Sequence, residues 1–261
     1  FARVSSQLWS LALALAVMWI VANIPPQTIA RAAVPLYALG IVLLVGVALW
    51  GVTVNGSRRW LNLGFGRFQP SELMKVAVPL MLAWYFHRRE GGLRTLDFIV
   101  AAVIVLVPVA LIAKQPDLGT ALLVLAAGSF VIFFAGLPWK WLAVMIVAGI
   151  ASLPLAWTLM HDYQRERVLT LIDPSTDPLG KGFHTLQAMI AIGSGGVFGK
   201  GWMQGTQTHL EFIPERTSDF IFAVYSEEFG LVGNVVLLLL FGALIWRALA
   251  IALNAPTQFA R

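Results

Sequence analysis

The sequence predicts an all-α protein, a polytopic transmembrane helical bundle with seven spans in this chain and one long extracytoplasmic loop. Of its 261 residues, 59% are hydrophobic and only 12% are charged, whereas a typical soluble domain has about 25% charged residues. The mean hydropathy is +0.80, and several apolar runs approach the roughly 20 residues that cross about 30 Å of hydrocarbon. A soluble core could not bury so much apolar surface, so the bilayer is the expected solvent.

Seven apolar segments are the predicted spans, and proline-containing turns mark several of their boundaries. The last span carries a candidate break at 227–233. We expect residues 1–261 to form a single transmembrane domain, within which residues 161–219 form the large loop. The predicted spans are 8–22, 32–51, 71–86, 98–113, 118–136, 141–160 and 220–253.

Alternating crossings place the loops 52–70, 114–117 and 161–219 on the same face of the membrane. Basic residues are slightly more numerous in the short elements of the opposite face, which places the three loops outside the cytoplasm by the positive-inside rule. The net charge of +5 is expected to meet anionic headgroups or an anionic substrate, and no nucleic acid partner is predicted. The absence of cysteine excludes disulfides and thiolate metal sites.

Ionisable residues at membrane depth are costly, at about 2.5–3.5 kcal/mol or more at mid-bilayer, so each needs a partner, a polar cavity or an interfacial position. Glu72 and Lys75 lie three positions apart at the start of a predicted helix. They form either an ion pair near the headgroups or the lining of a polar cavity. Asp117 precedes another helix, where it caps the first turn or takes part in a site.

The end of the long loop concentrates charge immediately before the chain re-enters the bilayer. Glu215, Arg216 and Asp219 lie there, and Glu227 and Glu228 follow. Ser218 or Asp219 could cap the next helix, but capping explains neither Glu215 nor Arg216. We therefore predict a reacting or binding role for Asp219.

The glycine-rich stretch 193–201 is not a nucleotide-binding P-loop. Its glycine spacing differs from that motif, and Gly201 stands where a serine or threonine would bind the metal. We expect a flexible turn or a nest of backbone amides.

Four motifs, in this order along the chain, resemble those of the SEDS family of bacterial cell-wall synthesis. They are FQPSELMK at 68–75, KQPDLGT at 114–120, IAIGSGG at 190–196 and FIPERTSDFIF at 212–222. Segments at 161–167, 173–174, 177–180 and 205–212 are more similar to the RodA type, which acts in cell elongation, than to the FtsW type, which acts in division. The resemblance covers nearly the whole chain. We expect a fragment that lacks the family's first span and its last two, and Thr217-Ser218 stands where this type has His-Thr.

The resemblance implies a peptidoglycan glycosyltransferase, a hexosyltransferase that polymerises lipid II into glycan strands for cell wall biogenesis and cell shape. It implies a multi-pass protein of the bacterial cytoplasmic (inner) membrane with its active site on the extracytoplasmic face. The implied partners are lipid II, undecaprenyl-linked glycan, membrane lipids and a class B penicillin-binding protein, which is a transpeptidase. The family's functional positions match Trp60, Glu72, Lys75, Asp117, Glu215 and Asp219, and Asp219 matches the presumed catalytic carboxylate.

Extending a glycan from a lipid pyrophosphate requires a base for the acceptor hydroxyl and cations for the leaving group. The hypothesis makes Asp219 the base, with Arg216 and Lys75 meeting the phosphate charge. Glu72 holds Lys75, while Asp117 and Glu215 orient these groups or help to hold a divalent cation such as Mg²⁺, whose involvement stays open.

Two rival functions explain part of the same pattern. A flippase or transporter of the lipid-linked precursor also holds ionisable residues at membrane depth, but it needs access to both faces. A scaffold that binds a partner through its spans leaves the Glu215–Asp219 cluster without a task.

Overall fold

The computed structural model of the chain describes residues 2–54, 57–62, 67–89, 92–160, 162–174, 181–209 and 218–260. The predicted helical fold class is confirmed. The helices are α1 (Ala2–Ala22), α2 (Pro26–Trp50), α3 (Pro70–His87), α4 (Thr95–Lys114), α5 (Leu118–Phe134), α6 (Trp139–Leu159), α7 (Asp162–Ile172), α8 (Lys181–Ser194), α9 (Thr206–His209) and α10 (Ile221–Leu253). The strands are β1 (Val52–Val54), β2 (Ser57–Asn62) and β3 (Arg67–Phe68).

A helix stands at each of the seven predicted spans, namely α1 to α6 and α10. Among the described residues, four helices have both the length and the apolar composition to cross a membrane: α1, α2, α4 and α10. Helices α5 and α6 are apolar over shorter stretches, and α3 carries Glu72 and Lys75 in its first turns. Membrane crossing by these three helices stays a prediction.

The ends and interruptions of the helices follow from particular residues. Pro26 and Pro70 stand in the first turns of α2 and α3, where a missing backbone N–H costs nothing. Helix α10 is interrupted at Gly230, whose φ of 63° and ψ of −159° are not helical. The predicted break in the last span is therefore confirmed.

The chain divides into two compact units, Phe1–Val144 with Ala252–Arg261, and Met145–Ile251. In the first unit, α3 packs against α2, α4 and α5, and α4 also packs against α5. Gly128 allows the close approach of α4 and α5, because a Cβ there would lie 2.6 Å from Cγ2 of Val105. The largest fully buried side chains of this core include Leu44, Met74, Leu82, Ile112 and Val124.

The second unit contains α7, α8, α9 and most of α10. A small buried cluster of Ala188, Ala191 and Ala223 joins α8 to the start of α10. Helix α8 lies within the predicted long loop 161–219. Most large apolar side chains of α10 beyond its break are exposed, among them Leu238, Leu244 and Trp246, as expected for a helix that faces lipid.

The loop 52–70 contains more structure than the sequence analysis predicted. Strands β1 and β2 pair antiparallel with Val52 opposite Trp60, and β2 pairs with β3 through Leu61 opposite Phe68. Valine, tryptophan, leucine and phenylalanine fit a pleated, half-buried surface. This short sheet carries Arg59 and Trp60, and it places Arg59 beside Asp117.

Candidate active site

Asp117 is the centre of a hydrogen-bonded cluster in the first unit. Its Oδ1 accepts from the backbone N–H of Thr120 at 3.3 Å, and its Oδ2 accepts from the Thr120 hydroxyl at 3.0 Å. The side-chain amide of Gln69 donates to the same Oδ2 at 3.1 Å. Arg59 Nη1 lies 3.8 Å from Oδ1. Asp117 is thus the N-cap of α5 and also joins α5 to the start of α3 and to β2.

The side chain of Asp117 is only 10% exposed, and both of its oxygens are occupied by protein donors. The sequence left two roles open for Asp117, orienting its neighbours or helping to hold a divalent cation. This geometry favours the first. Arg59 and Gln69 were not among the site residues predicted from the sequence. Gln69 was visible as the residue before Pro70, and Arg59 as one of two adjacent arginines in a loop on the predicted site face.

Glu72 and Lys75 form an ion pair, which is one of the two arrangements that the sequence left open. Lys75 Nζ lies 2.7 Å from Glu72 Oε2 within the first turns of α3. The Glu72 side chain is 54% exposed and the Lys75 side chain 35% exposed, so the pair remains accessible to a ligand. Trp60 is half-buried on β2, one position beyond Arg59.

Asp219 belongs to the second unit, in the turn formed by residues 218–220 before α10 begins at Ile221. Its side chain is exposed. Glu215 and Arg216 lie outside the described residues. Asp219 therefore lies immediately before a helix that is long and apolar enough to cross a membrane. Its action together with Glu72, Lys75 and Asp117 stays a prediction.

No group of three or more His, Asp or Glu side chains suited to a metal ion occurs in the described ranges. The involvement of Mg²⁺ stays open, because Glu215 lies outside those ranges.

The second unit contains a buried ion pair that the sequence analysis did not predict. Lys200 Nζ lies 2.7 Å from Oε1 of Glu227, a residue of α10 with 0% exposure. The sequence showed Glu227 only as a charge within the last predicted span. Its partner, Lys200, lies within the glycine-rich stretch 193–201, for which the sequence predicts a flexible turn or a nest of amides.

That stretch is a tightly docked loop, because its amides bind α10 where α10 is broken. The backbone N–H of Lys200 donates to the carbonyl of Glu227 at 3.0 Å, and that of Gly201 to the carbonyl of Glu228 at 3.0 Å. In the reverse direction, the N–H of Leu231 donates to the carbonyl of Gly196 at 2.9 Å. These amides are used within the fold, so of the two expected arrangements the structure has the turn, at residues 195–198, and holds it against α10.

Comparison with known proteins identifies the family. Residues 1–261 match the family model described as "Cell cycle protein", which covers FtsW, RodA and SpoVE. The chain belongs to this family. The predicted SEDS resemblance is confirmed.

Curated relatives of the chain carry more than one name within the FtsW/RodA/SpoVE family. The chain is 50% identical over 252 residues to "Peptidoglycan glycosyltransferase MrdB" of Escherichia coli K12. The match covers 96% of this chain and 68% of the relative. It is 36% identical over 225 residues to "Stage V sporulation protein E" of Bacillus subtilis. That match covers 85% of this chain and 60% of the relative. The chain thus spans about two thirds of the length of such family members.

Solved structures of family members share the fold. A chain of a structure titled "Structural coordination of polymerization and crosslinking by a peptidoglycan synthase complex" matches with a TM-score of 0.78 and 36% identity, covering 98% of this chain and 71% of that chain. The crystal structure of Thermus thermophilus rod shape determining protein RodA matches with a TM-score of 0.63 and 31% identity, over 96% of this chain and 66% of that chain.

Replacing Asp117 with alanine is expected to destabilise the first unit. The change removes an N-cap, which is worth about 1 kcal/mol, and leaves part-buried donors of Gln69 and Thr120 without this acceptor, at a further cost of about 1 kcal/mol. We expect a lower apparent melting temperature in detergent, measured by fluorescence-detected size exclusion after heating.

The matched control is Glu72→Ala, which removes a carboxylate from the exposed pair on α3. Exposed ion pairs contribute about 0–1 kcal/mol, so its melting temperature should stay close to that of the wild type. Equal melting temperatures for Asp117→Ala and Glu72→Ala would contradict the orienting role of Asp117.

Proposed function

We propose that this chain forms the polymerising part of a peptidoglycan glycosyltransferase that joins the disaccharide units of lipid II during cell elongation. The predicted enzyme class agrees with the names of curated family members, and the elongation role is supported by the 50% identity to MrdB. The observation that carries the proposal within the structure is Asp219, an exposed carboxylate in the turn that leads into a membrane helix.

In the proposed reaction, Asp219 removes the proton from the acceptor sugar hydroxyl. The hydroxyl oxygen then bonds to the anomeric carbon of the donor, and the bond from that carbon to the lipid pyrophosphate breaks. The pyrophosphate leaves with its electron pair, so it needs positive charge nearby. Lys75 and Arg216 supply that charge.

The supporting residues act through Lys75 and through the start of α3. Glu72 holds the Lys75 ammonium at 2.7 Å, which fixes its direction while leaving further donor hydrogens for a phosphate. Asp117 binds Gln69, the N-cap residue of α3, and so fixes the turn from which Glu72 and Lys75 project. Glu215 and Trp60 complete the proposed substrate site, and a divalent cation such as Mg²⁺ would neutralise pyrophosphate if Glu215 helps to hold it.

The protein is multi-pass in the membrane by family and by its four apolar helices. We propose that its active site faces the extracytoplasmic side of the bacterial inner membrane. We also propose a class B penicillin-binding protein as its partner, because a similar chain occurs in a peptidoglycan synthase complex. Undecaprenyl-linked glycan is then the growing product.

The break in α10 bears on the flippase alternative, because interrupted helices with buried charges are typical of transporters. Here, however, the groups freed at the break are bound by the docked loop, through bonds such as that from Leu231 N–H to the Gly196 carbonyl. An occupied break offers no evident binding site for a transported ion. Polymerisation is therefore the favoured function.

Sealed vesicles distinguish the two functions. The full-length protein and its partner would be reconstituted with fluorescent lipid II, and two quantities measured: glycan chain length on a gel, and lipid II accessibility to a reagent on each side. We expect glycan chains without accelerated translocation. Accelerated translocation without glycan chains would establish the flippase instead.

A further inference from the structure

Glu227 is the most deeply buried charged residue in the described part of the chain, with 0% exposure. A buried carboxylate is tolerated only when it is paired and hydrogen-bonded. Glu227 lies in α10 a little more than two turns after Asp219, and the proposed mechanism gives it no part. Its surroundings therefore call for a separate explanation.

One oxygen of Glu227 gathers donors from the segment that precedes the charged end of the long loop. Oε1 accepts from Lys200 Nζ at 2.7 Å, from the Thr206 hydroxyl at 3.1 Å and from the backbone N–H of Gln207 at 3.2 Å. Lys200 Nζ also donates to the Thr206 hydroxyl at 2.8 Å. The other oxygen, Oε2, is buried and has no hydrogen-bond partner among the described residues, so neutralisation depends on Lys200.

Lys200 is itself fixed before its side chain reaches Glu227. Its backbone N–H donates to the carbonyl of Glu227, and the next residue binds the carbonyl of Glu228. Gly199 has a φ of 78° and approaches α10 so closely that a Cβ would overlap the Glu228 carbonyl. The docked loop therefore presents Lys200 to α10 in a single arrangement.

We propose that Lys200, Thr206 and Glu227 form a tie that positions Asp219 for the proposed reaction, with Glu227 as a positioning residue. The tie fastens Thr206 and Gln207 to α10, and Asp219 leads directly into the same helix. The tie thereby fixes the first turns of α10, which Asp219 closely precedes. A fixed helix start limits the directions in which Asp219 can present its carboxylate. This inference rests on the proposed function.

The simpler explanation is that Lys200 only neutralises a buried charge, with no consequence for the segment. The exposed Thr206 distinguishes the two explanations, because it contributes to the tie but not to the charge balance. Thr206→Val removes the hydroxyl with little change in shape, and Thr206→Ser retains it. Both variants should keep wild-type abundance and melting temperature in detergent.

For the full-length protein with its partner, we expect Thr206→Val to lower kcat for lipid II polymerisation about 3- to 10-fold, with KM changed less than about 2-fold. We expect Thr206→Ser to stay within about 2-fold of the wild type in both constants. Unchanged kcat in Thr206→Val would overturn the tie. An equal fall in both variants would also overturn it, because the hydroxyl would then not be the group that matters.

A single variant and a charge-balanced double variant distinguish an effect of the tie on catalysis from an effect on folding. Lys200→Met alone leaves an uncompensated buried carboxylate and should reduce abundance. Lys200→Met with Glu227→Met removes both charges and every side-chain bond of the tie, and should recover abundance. We expect kcat of this double variant to remain at least about 10-fold below that of the wild type. Recovery of kcat together with abundance would show that only the charge balance matters.

Hydrogen–deuterium exchange tests the tie without any activity measurement. In Thr206→Val and in the double variant, peptides from 207–220 should exchange faster than in the wild type, while peptides from α8 should not. Unchanged exchange over 207–220 would overturn the tie whatever the enzyme does. If the wild type makes no glycan but exchange changes as stated, the proposed function fails and the tie stands.

Discussion

Gly199→Ala is expected to disrupt the second unit, lowering the free energy of unfolding by about 2–5 kcal/mol. The φ of 78° at this position costs a residue with a Cβ about 1–2 kcal/mol. The added Cβ would also overlap the carbonyl of Glu228, a backbone group that cannot swing aside. Relief of that overlap breaks the bonds from Lys200 and Gly201 to α10, each worth about 0.5–1.5 kcal/mol. Low abundance after detergent extraction and a lower melting temperature are the expected measurements.

The matched control is Gly193→Ala in the same glycine-rich stretch. Gly193 lies near the end of α8, and a Cβ there would meet nothing within 4 Å. Because alanine has a higher helix propensity than glycine by about 1 kcal/mol, this variant should equal or exceed the wild type in stability. If both alanine variants behave alike, the docking of the loop on α10 does not stabilise the unit.

The sequence was sufficient to predict the helices because apolar length leaves few alternatives. A run near 20 apolar residues with flanking prolines predicts a helix at each of seven places, and the glycine-containing stretch at 227–233 predicted the break in α10. The short sheet escaped prediction because its strands lie in a loop. Strands as short as β3, Arg67–Phe68, leave no alternating pattern to detect.

Single residues of the candidate site were predicted from the sequence, but the contacts between distant ones were not. Glu72 with Lys75 and Asp117 with its own helix are local pairings, so spacing along the chain was enough to predict them. The contacts of Asp117 with Arg59 and Gln69 join residues far apart in sequence, and a pattern within one helix carries no information about them. Those contacts come from the packing of β2 and α3 around the start of α5.

The pairing of Lys200 with Glu227 was missed for the same reason, and for a second one. Glycines at 195, 199 and 201 resemble a flexible segment when they are considered as composition alone. In the structure, Gly195 and Gly199 let backbone approach backbone, because a Cβ at either position would overlap a carbonyl of α10, whereas Gly201 has a φ of 104°. Composition cannot distinguish glycine selected for flexibility from glycine selected for contact.

Asp219→Ala is expected to lower the rate of glycan polymerisation by at least about 10²-fold, since positioned general bases contribute about 10²–10⁴-fold. The residue is exposed in a turn before α10, so its removal should leave abundance and melting temperature unchanged. Asp219→Asn, which keeps the shape but cannot take the proton, should be equally impaired. Asp173→Asn, a change at another exposed carboxylate of the long loop, should retain wild-type rates.

The most direct test of the central claim is a glycan-ladder gel. Purified lipid II would be incubated with the full-length wild-type protein or the full-length Asp219→Ala protein, each with its partner, whose transpeptidase is blocked by a β-lactam. Our account predicts ladders from the wild type and none from Asp219→Ala at equal protein abundance. Ladders of equal intensity from both proteins would contradict the assignment of Asp219 as the base, and the absence of ladders from both would contradict the polymerase function itself.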